Sequence, residues 1–222
     1  MTPSDLSSVL VTLQLAAVTT VLLLGLSIPL CWWLVRGTGA ARRLVLALVA
    51  LPLVLPPTVL GFYLLLWMSP TGVAGQLAQW LGAQSLAFTF EGLVLGSLVY
   101  SLPFAVLPLR SALLSVPRDC LDAAATLGAN GARQLCLVAL PLAWPGVLAA
   151  AILSFAHTVG EFGVALMIGG SIPGETRVTF IAIYEQVEAM QYANAHWLSA
   201  LLVLTSFVAL LFVRPNASED RS

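Results

Sequence analysis

Two groups of residues in this sequence are of types suited to work rather than to filling space. The first is LDAAATLGANGARQLCLVALP, residues 121–141, set between two long apolar runs and carrying two charges, Asp122 and Arg133. These residue types suit docking rather than covalent chemistry. Residues 120–125 are good helix formers. Gly128, Asn130 and Gly131 mark a helix end and a turn, and a second helix resumes near Ala132. A short helix with Ala at adjacent positions enters a partner's groove with little steric obstruction. A membrane protein that receives mechanical work from a soluble motor requires such a knob; an ordinary ordered loop is the plainer alternative. The second group is His157 and Glu161. At about 100° per residue they fall on much the same helical face, and an ionisable pair inside a membrane is a functional-site candidate by default. A contact that only braces the helix is the bland alternative. A metal site lacks support, because two ligands are evident where zinc takes three or four.

The elements that position these groups follow from composition. Of 222 residues, 59% are hydrophobic and 9% charged, and mean hydropathy is +0.98. Soluble domains carry about a quarter charged residues, so the chain is read as an all-α polytopic membrane protein forming one transmembrane domain over residues 1–222. The net charge of −1 says nothing about partners, and no basic stripe with interleaved aromatics suggests nucleic acid. Cys31, Cys120 and Cys136 have no metal-binding or redox spacing and read as small hydrophobes or reduced thiols. No cofactor motif is present. There is no H-E-x-x-H, no G-x-S-x-G and no Gly-rich phosphate loop, so the chain cannot hydrolyse ATP by the usual machinery.

Five spans are expected, over 10–35, 44–68, 92–114, 135–158 and 197–213. The second is broken by Pro52 and by Pro56-Pro57, and the third contains Pro103 and Pro108. Kinking is the ordinary role of these prolines; a gate hinge is a further reading for Pro56-Pro57. Arg36, Arg42 and Arg43 lie between spans one and two, Arg118 and Arg133 between three and four, and Arg214 and Arg221 after the last. These loops agree if all are cytoplasmic, which puts the N-terminus and the loop 69–90 outside and the C-terminus in the cytoplasm. Glu91 and Arg110 bracket span three as interfacial anchors. The polar tail, with its acceptor-like Asn216-Ala217-Ser218, reads as frayed and unglycosylated. Residues 159–194 form a broken or re-entrant piece in the outer half. Irregular backbone survives at that depth only against protein or a wet cavity. Within the piece, Phe180, Ile183, Tyr184, Val187 and Met190 follow the spacing of a short interfacial helix. Gly146, Ala150, Ser154 and Thr158 recur every four residues, a stripe of small side chains that lets helices approach closely.

The central segment resembles the coupling motif of ABC importer permeases, E-A-A-x-x-x-G, nine residues, then I-x-L-P. Here the matching residues are Asp122, Ala123, Ala124, Gly128, Val138, Leu140 and Pro141, with Asp for Glu and Val for Ile. LPLVLPPTVLG (51–61), FAHTVGEFGVALMIGG (155–170) and SIPGETRVTFIAIYEQVE (171–188) resemble stretches of oxyanion importer permeases, those for molybdate in particular. The resemblance covers about 10–213. It implies the MetI-like permease fold, with residues 117–134 forming a coupling-helix loop that docks on a cytoplasmic ATP-binding subunit. It further implies a bacterial inner-membrane location and a periplasmic oxyanion-binding protein as partner. A second copy of the chain is expected as well, since two ATPase subunits need two coupling helices and this chain has one. The function implied is the translocation subunit of an ATP-driven molybdate importer, with no catalysis of its own. Sulfate or tungstate import is the near alternative. An intramembrane enzyme using His157 and Glu161, or a non-catalytic scaffold, are the distant ones.

Candidate path residues are Ser154, His157, Thr158, Glu161, Pro56 and Pro57. No free-anion site of high affinity is evident, because a dianion needs several converging donors. Two departures stand out. Some members carry an extra N-terminal span for which this numbering leaves no room, consistent with five spans and an outer N-terminus. The family usually has Arg where this chain has His157, so transport is expected to respond to pH; a flat rate between about pH 5.5 and 8 would oppose that expectation.

Overall fold

The computed structural model describes residues 3–80, 82 and 85–211, and every regular element among them is helical. In chain order these are α1 (Pro3–Val35), α2 (Ala40–Ala50), α3 (Pro57–Met68), α4 (Val73–Trp80), α5 (Phe90–Leu114), α6 (Arg118–Thr126), α7 (Gly131–Gln134), α8 (Leu140–Leu142), α9 (Trp144–Val159), α10 (Gly163–Gly169), α11 (Thr179–Glu188) and α12 (Tyr192–Leu211). A 3₁₀ turn, Leu51–Leu53, follows α2, and a π-helical turn, Leu135–Ala139, links α7 to α8. In lipid the backbone must satisfy its own hydrogen bonds, and helices do so within one segment.

Two of the expected spans are single helices, α1 and α5. α5 runs through both Pro103 and Pro108 without a break, so these prolines do not interrupt span three. Two others are bent pairs. The chain turns by 112° between Ala40–Leu53 and Pro57–Met68, and by 78° between Gly131–Leu142 and Trp144–Val159. The first break falls at Pro56-Pro57, where Pro56 is extended (φ −56°, ψ 134°) and Pro57 opens α3. A proline at the first helical position gives up no bond that the helix would otherwise make. The second falls at Ala143, so the straight part of span four begins at Trp144 rather than at Leu135. The last apolar helix is α12; residues 212 and 213 of span five, Arg214, Arg221 and the polar tail lie outside the described residues.

The bundle is built on α1, α5 and α9, which pack against one another, with α10 lodged between α3 and α5. Side chains sort into two apolar clusters. One joins Cys31 and Leu34 of α1, Val106, Leu109 and Leu113 of α5, and Val147 and Ala150 of α9. The other joins Val11 and Leu15 of α1, Leu93 and Val94 of α5, and Val164 and Ile168 of α10. On α1 and α5 the stretch between these clusters also buries polar side chains, Thr19, Thr20 and Ser27, and then Ser97 and Ser101, beside apolar Leu23 and Ala105.

α1 begins well before the expected Leu10. Residues 3–9 continue the helix, and buried Asp5 accepts a hydrogen bond from Gln186 of α11 at 2.9 Å. One turn and more further on, Thr12 Oγ1 donates to the Ser8 carbonyl (2.8 Å), accepts the Thr179 N–H (2.8 Å) and sits 2.9 Å from Thr179 Oγ1. Thr179 opens α11, so Thr12 satisfies one of the donors that a helix start leaves free. Thr12→Val is expected to cost about 1–3 kcal/mol, the penalty for a buried N–H without a partner. Thr205→Val, whose hydroxyl bonds only its own helix at Leu201 O, is expected to cost little. Thermal unfolding of the two purified variants compares them.

Candidate functional site

α6 has no buried residue. Asp122, Ala123, Ala125 and Thr126 are exposed, and Leu127 at its end is 89% exposed. On its inner side only Leu121 and Ala124 are part-buried, Leu121 against the apolar cluster of α1, α5 and α9, so the helix is held largely by its ends. The C-terminal end is closed by the two bonds of a Schellman turn: Ala129 N–H to Ala124 O (3.0 Å) and Gly128 N–H to Ala125 O (2.9 Å). Gly128 takes φ +82° there, a backbone region costly to any residue with a Cβ. Asn130 then caps α7, its Oδ1 accepting the Arg133 N–H at 3.0 Å, and Gln134 Nε2 donates to Ala129 O at 3.0 Å. Gly128→Ala is expected to cost about 1–2 kcal/mol of left-handed strain, visible as faster amide exchange across residues 118–129 while α9 exchanges as before.

Leu140 and Pro141 form the short α8, joined to α6 through the π turn and to α9 through the bend at Ala143. α9 thus follows α6 in the chain through these short elements, and it carries the second group. Its small-residue stripe faces the core: Ala150 and Ser154 are fully buried and Thr158 nearly so. A Cβ on Gly146 would collide with Ala112 of α5 and come within 3.4 Å of the Pro108 carbonyl.

His157, Thr158 and Glu161 all meet α5. Ser101 Oγ lies 2.9 Å from His157 Nδ1 and 3.1 Å from Thr158 Oγ1, while Ser97 Oγ donates to Glu161 Oε2 at 2.8 Å. The half-buried imidazole stacks on Phe104, with centroids 3.9 Å apart, and leans on Tyr100 at 4.7 Å. Glu161 is 3% exposed and lies just past the end of α9, at Gly160. Its Oε1 has no hydrogen-bond partner, and neither do the buried hydroxyls of Ser154, Thr19, Thr20 and Ser27. Five buried polar atoms thus lack partners in the zone between the apolar clusters. Pro57 stands beside this group, since Gly163 of α10 packs against its Cβ. Pro56 caps α3 next to it. The structure therefore gathers His157, Thr158 and Glu161 against α5, with Ser154 one turn earlier on α9 and Pro57 packed on Gly163, two residues beyond Glu161, and holds Asp122, Ala123, Ala124 and Gly128 apart on α6.

Sequence reading overlooked the α5 side of this region. Ser97, Tyr100, Ser101 and Phe104 lie three or four apart on an otherwise apolar span, a spacing that puts them on one face. The helical stripe of α11 is also turned differently from a packed amphipathic helix. Thr179, Ile181, Ala182 and Gln186 face the chain, while Phe180, Tyr184 and Val187 are more exposed, Phe180 and Tyr184 with one side on the Phe162 ring (5.5 and 5.3 Å). Outward apolar side chains suit a helix surrounded by lipid. Met190 falls beyond the helix, at φ +57°. The residues Ile172–Thr176 form a closed turn in which the N–H groups of Glu175, Thr176 and Arg177 converge on Ile172 O. Buried Thr176 staples that turn to Gly169 O at 2.6 Å, and Glu185 receives both Ser171 and Arg177.

The comparisons with known proteins agree with this architecture. Residues 21–215 match the family described as the binding-protein-dependent transport system inner membrane component. The molybdenum transport system permease protein ModB of Azotobacter vinelandii is 54% identical over 206 residues, 93% of this chain and 91% of that one. ModB of Escherichia coli K12 is 36% identical over 189 residues, 85% of this chain and 82% of its own. A probable sulfate transport system permease protein of Nephroselmis olivacea is 31% identical over 219 residues, covering 99% and 77%. Among solved structures, a chain of a bacterial alginate ABC transporter bound to its periplasmic protein superposes with a TM-score of 0.77 over 96% of this chain and 78% of that one, at 17% identity, a likeness of fold. The fold is that of the ABC importer permeases, a class of transport subunits whose ATPase is a separate chain, and this protein belongs to the inner-membrane components of binding-protein-dependent transport systems.

Proposed function

We propose that this chain is the permease subunit of a molybdate importer. The observation that carries this reading is the 54% identity to a molybdenum permease over nearly the whole of both chains. The chain acts as one permease domain over residues 1–222 and pairs with a second copy of itself. It takes a dianion from a periplasmic binding protein and releases it to the cytoplasm by alternating access. Its N-terminus is outside and its C-terminus cytoplasmic. The end that carries Arg36, Arg42, Arg43, Arg110 and Arg118 suits the cytoplasmic face, and Arg177, on the outer side, is neutralised by Glu185 at 2.7 Å.

In this reading α6 is the coupling helix. Asp122, Ala123 and Ala124 enter a cleft of the ATPase, and Gly128 fixes the exit angle. Closure of the ATPase dimer moves two such helices together, and Leu140, Pro141 and the bend at Ala143 pass that movement to α9. The path runs beside α9 and α5, along Ser154, Thr158, His157 and Glu161, with Pro56 and Pro57 as the hinge. The unpartnered buried Ser154 hydroxyl and Glu161 Oε1 support a wet path there; hydroxyl donors such as Ser154 suit an anion, and Glu161 is the one carboxylate along it.

The deciding experiment is ATP-dependent uptake into proteoliposomes holding this chain, its ATPase and the binding protein. Labelled molybdate is supplied with excess sulfate or tungstate. Uptake that resists sulfate is the expected result. Strong sulfate competition would favour the second reading, import of sulfate, for which the 31% identity to a sulfate permease speaks. An assembled complex that hydrolyses ATP without moving either anion would remove the oxyanion assignment.

A further inference from the structure

Five of the chain's Arg residues gather around two adjoining clefts at one end of the bundle. The larger, of about 510 Å³, opens between the ends of α1 and α5 and the inner side of α6, and Arg36, Arg110, Arg118 and Asp122 line it. The smaller, of about 180 Å³, lies between the end of α1 and α2, and Arg42, Arg43 and again Arg110 line it. Asp122 is the single carboxylate of either lining, and none of the five guanidinium groups is ion-paired among the described residues. Arg110 stands at the junction. It lies inside α5, short of the helix end, and its Nε is buried with no hydrogen-bond partner. Sorting of positive loops to the cytoplasm accounts for exposed arginines in the loops. It does not account for a half-buried one inside a helix.

Depth narrows the ligand. The Arg36 guanidinium lies 5.0 Å over the Trp32 ring and that of Arg42 5.0 Å over Trp33. Tryptophan rings settle at the headgroup level of a bilayer, so the clefts open where lipid phosphates lie. A guanidinium fork fits a tetrahedral oxyanion with two parallel bonds, and several such forks outcompete water where one does not.

We propose that these clefts form a binding site for a phosphate-class tetrahedral oxyanion, with Arg110 at its centre and Arg36 and Arg118 as further donors, filled by the headgroup of an anionic phospholipid. The inner side of α6 is one wall of the site, so the bound group braces the helix whose outer side is free. This assignment stands independently of which anion the protein transports.

The test uses the full chain purified in neutral detergent, with tryptophan fluorescence followed during titration. Phosphatidylglycerol is expected to bind saturably and phosphatidylcholine is not. Replacing Arg36 and Arg110 together by Gln should weaken binding by roughly tenfold or more, the scale of a lost charge-assisted contact. Arg133→Gln, outside both clefts, should leave it unchanged. Arg110→Lys keeps the charge, and an intermediate affinity for it separates lost recognition from misfolding. Inorganic phosphate that binds with the same arginine dependence, while phosphatidylglycerol fails to compete, would assign the site to a free anion. Equal binding of the two lipids, or phosphatidylglycerol binding indifferent to Arg36 and Arg110, would overturn the proposal.

Discussion

Reversing the charge at Asp122 is expected to abolish ATP-driven uptake while leaving the permease folded and inserted. The two halves of that expectation have separate grounds. Asp122 is exposed, on a helix with no fully buried residue, and it borders the cleft lined by Arg36, Arg110 and Arg118, so Asp122→Lys removes no apolar packing, although it adds a cation beside that cleft. Most substitutions away from buried features change stability by less than about 0.5 kcal/mol. If α6 docks on the ATPase as proposed, this carboxylate faces the partner surface. A lysine set against a partner cation that the carboxylate would have paired with costs several kcal/mol, so uptake should fall by roughly a hundredfold or more.

The control is the ATPase itself. If α6 is the coupling element, the variant should lose both uptake and co-purification with the ATPase, or should keep hydrolysis that no longer responds to the binding protein. Asp122→Asn, which keeps shape and removes charge, should fall between the two. Unchanged uptake in Asp122→Lys would assign the segment to the ordinary ordered loop that its composition also permits.

How much of this was legible beforehand depends on whether the signal was local. The helix, turn and return of residues 118–134 were readable because Gly128 and Asn130 act on their own backbone: one supplies a positive φ, the other a cap. Spans were readable from length and apolarity, since lipid imposes both. The 112° turn at Pro56-Pro57 was readable as a break but not as an angle, because proline removes a bond without specifying where the chain goes next. Pro103 and Pro108 make the same point from the other side, as α5 passes through both. The helical start at Pro3 was missed because Asp5, Ser7 and Ser8 look like a polar tail. What makes them helical is distant in sequence, the buried contact with Gln186 and Thr179 of α11. The pairing of Glu161 with Ser97, and of His157 with Ser101, was hidden likewise. Each partner lies more than fifty residues away, and a lone sequence carries no register between helices. α4 was absent from the reading because VAGQLAQW is short and built of small residues. It is held by Ala74, Gly75 and Ala78, which pack closely while Trp80 stays 92% exposed.

The largest effect on the fold should come from Gly146. The stripe that begins there is what allows α9 to lie against α5, and at Gly146 the two helices have no space left. A Cβ would overlap the Cβ of Ala112, which is fixed directly to the α5 backbone and cannot rotate away. Gly146→Leu adds three carbons beyond that first collision, so α9 must move outward as a unit. That motion would open the contacts of Ala150, Ser154 and Thr158, all buried on the same stripe, and would draw His157 and Glu161 off Ser101 and Ser97. Overpacking of a core costs about 1–3 kcal/mol when side chains can adjust. Here the lost helix contact adds to it, and the total should reach about 3–5 kcal/mol, enough to unfold many proteins. Gly25 supplies the comparison. It lies on an exposed face of α1, and a Cβ placed on it meets nothing within 4 Å. Gly25→Leu should leave stability unchanged or raise it slightly, because glycine is the poorer helix former by about 1 kcal/mol. Thermal unfolding in detergent of the two variants, side by side, decides the matter. Equal stability would mean that α9 and α5 do not depend on close approach, and the small-residue stripe would then be an accident of composition.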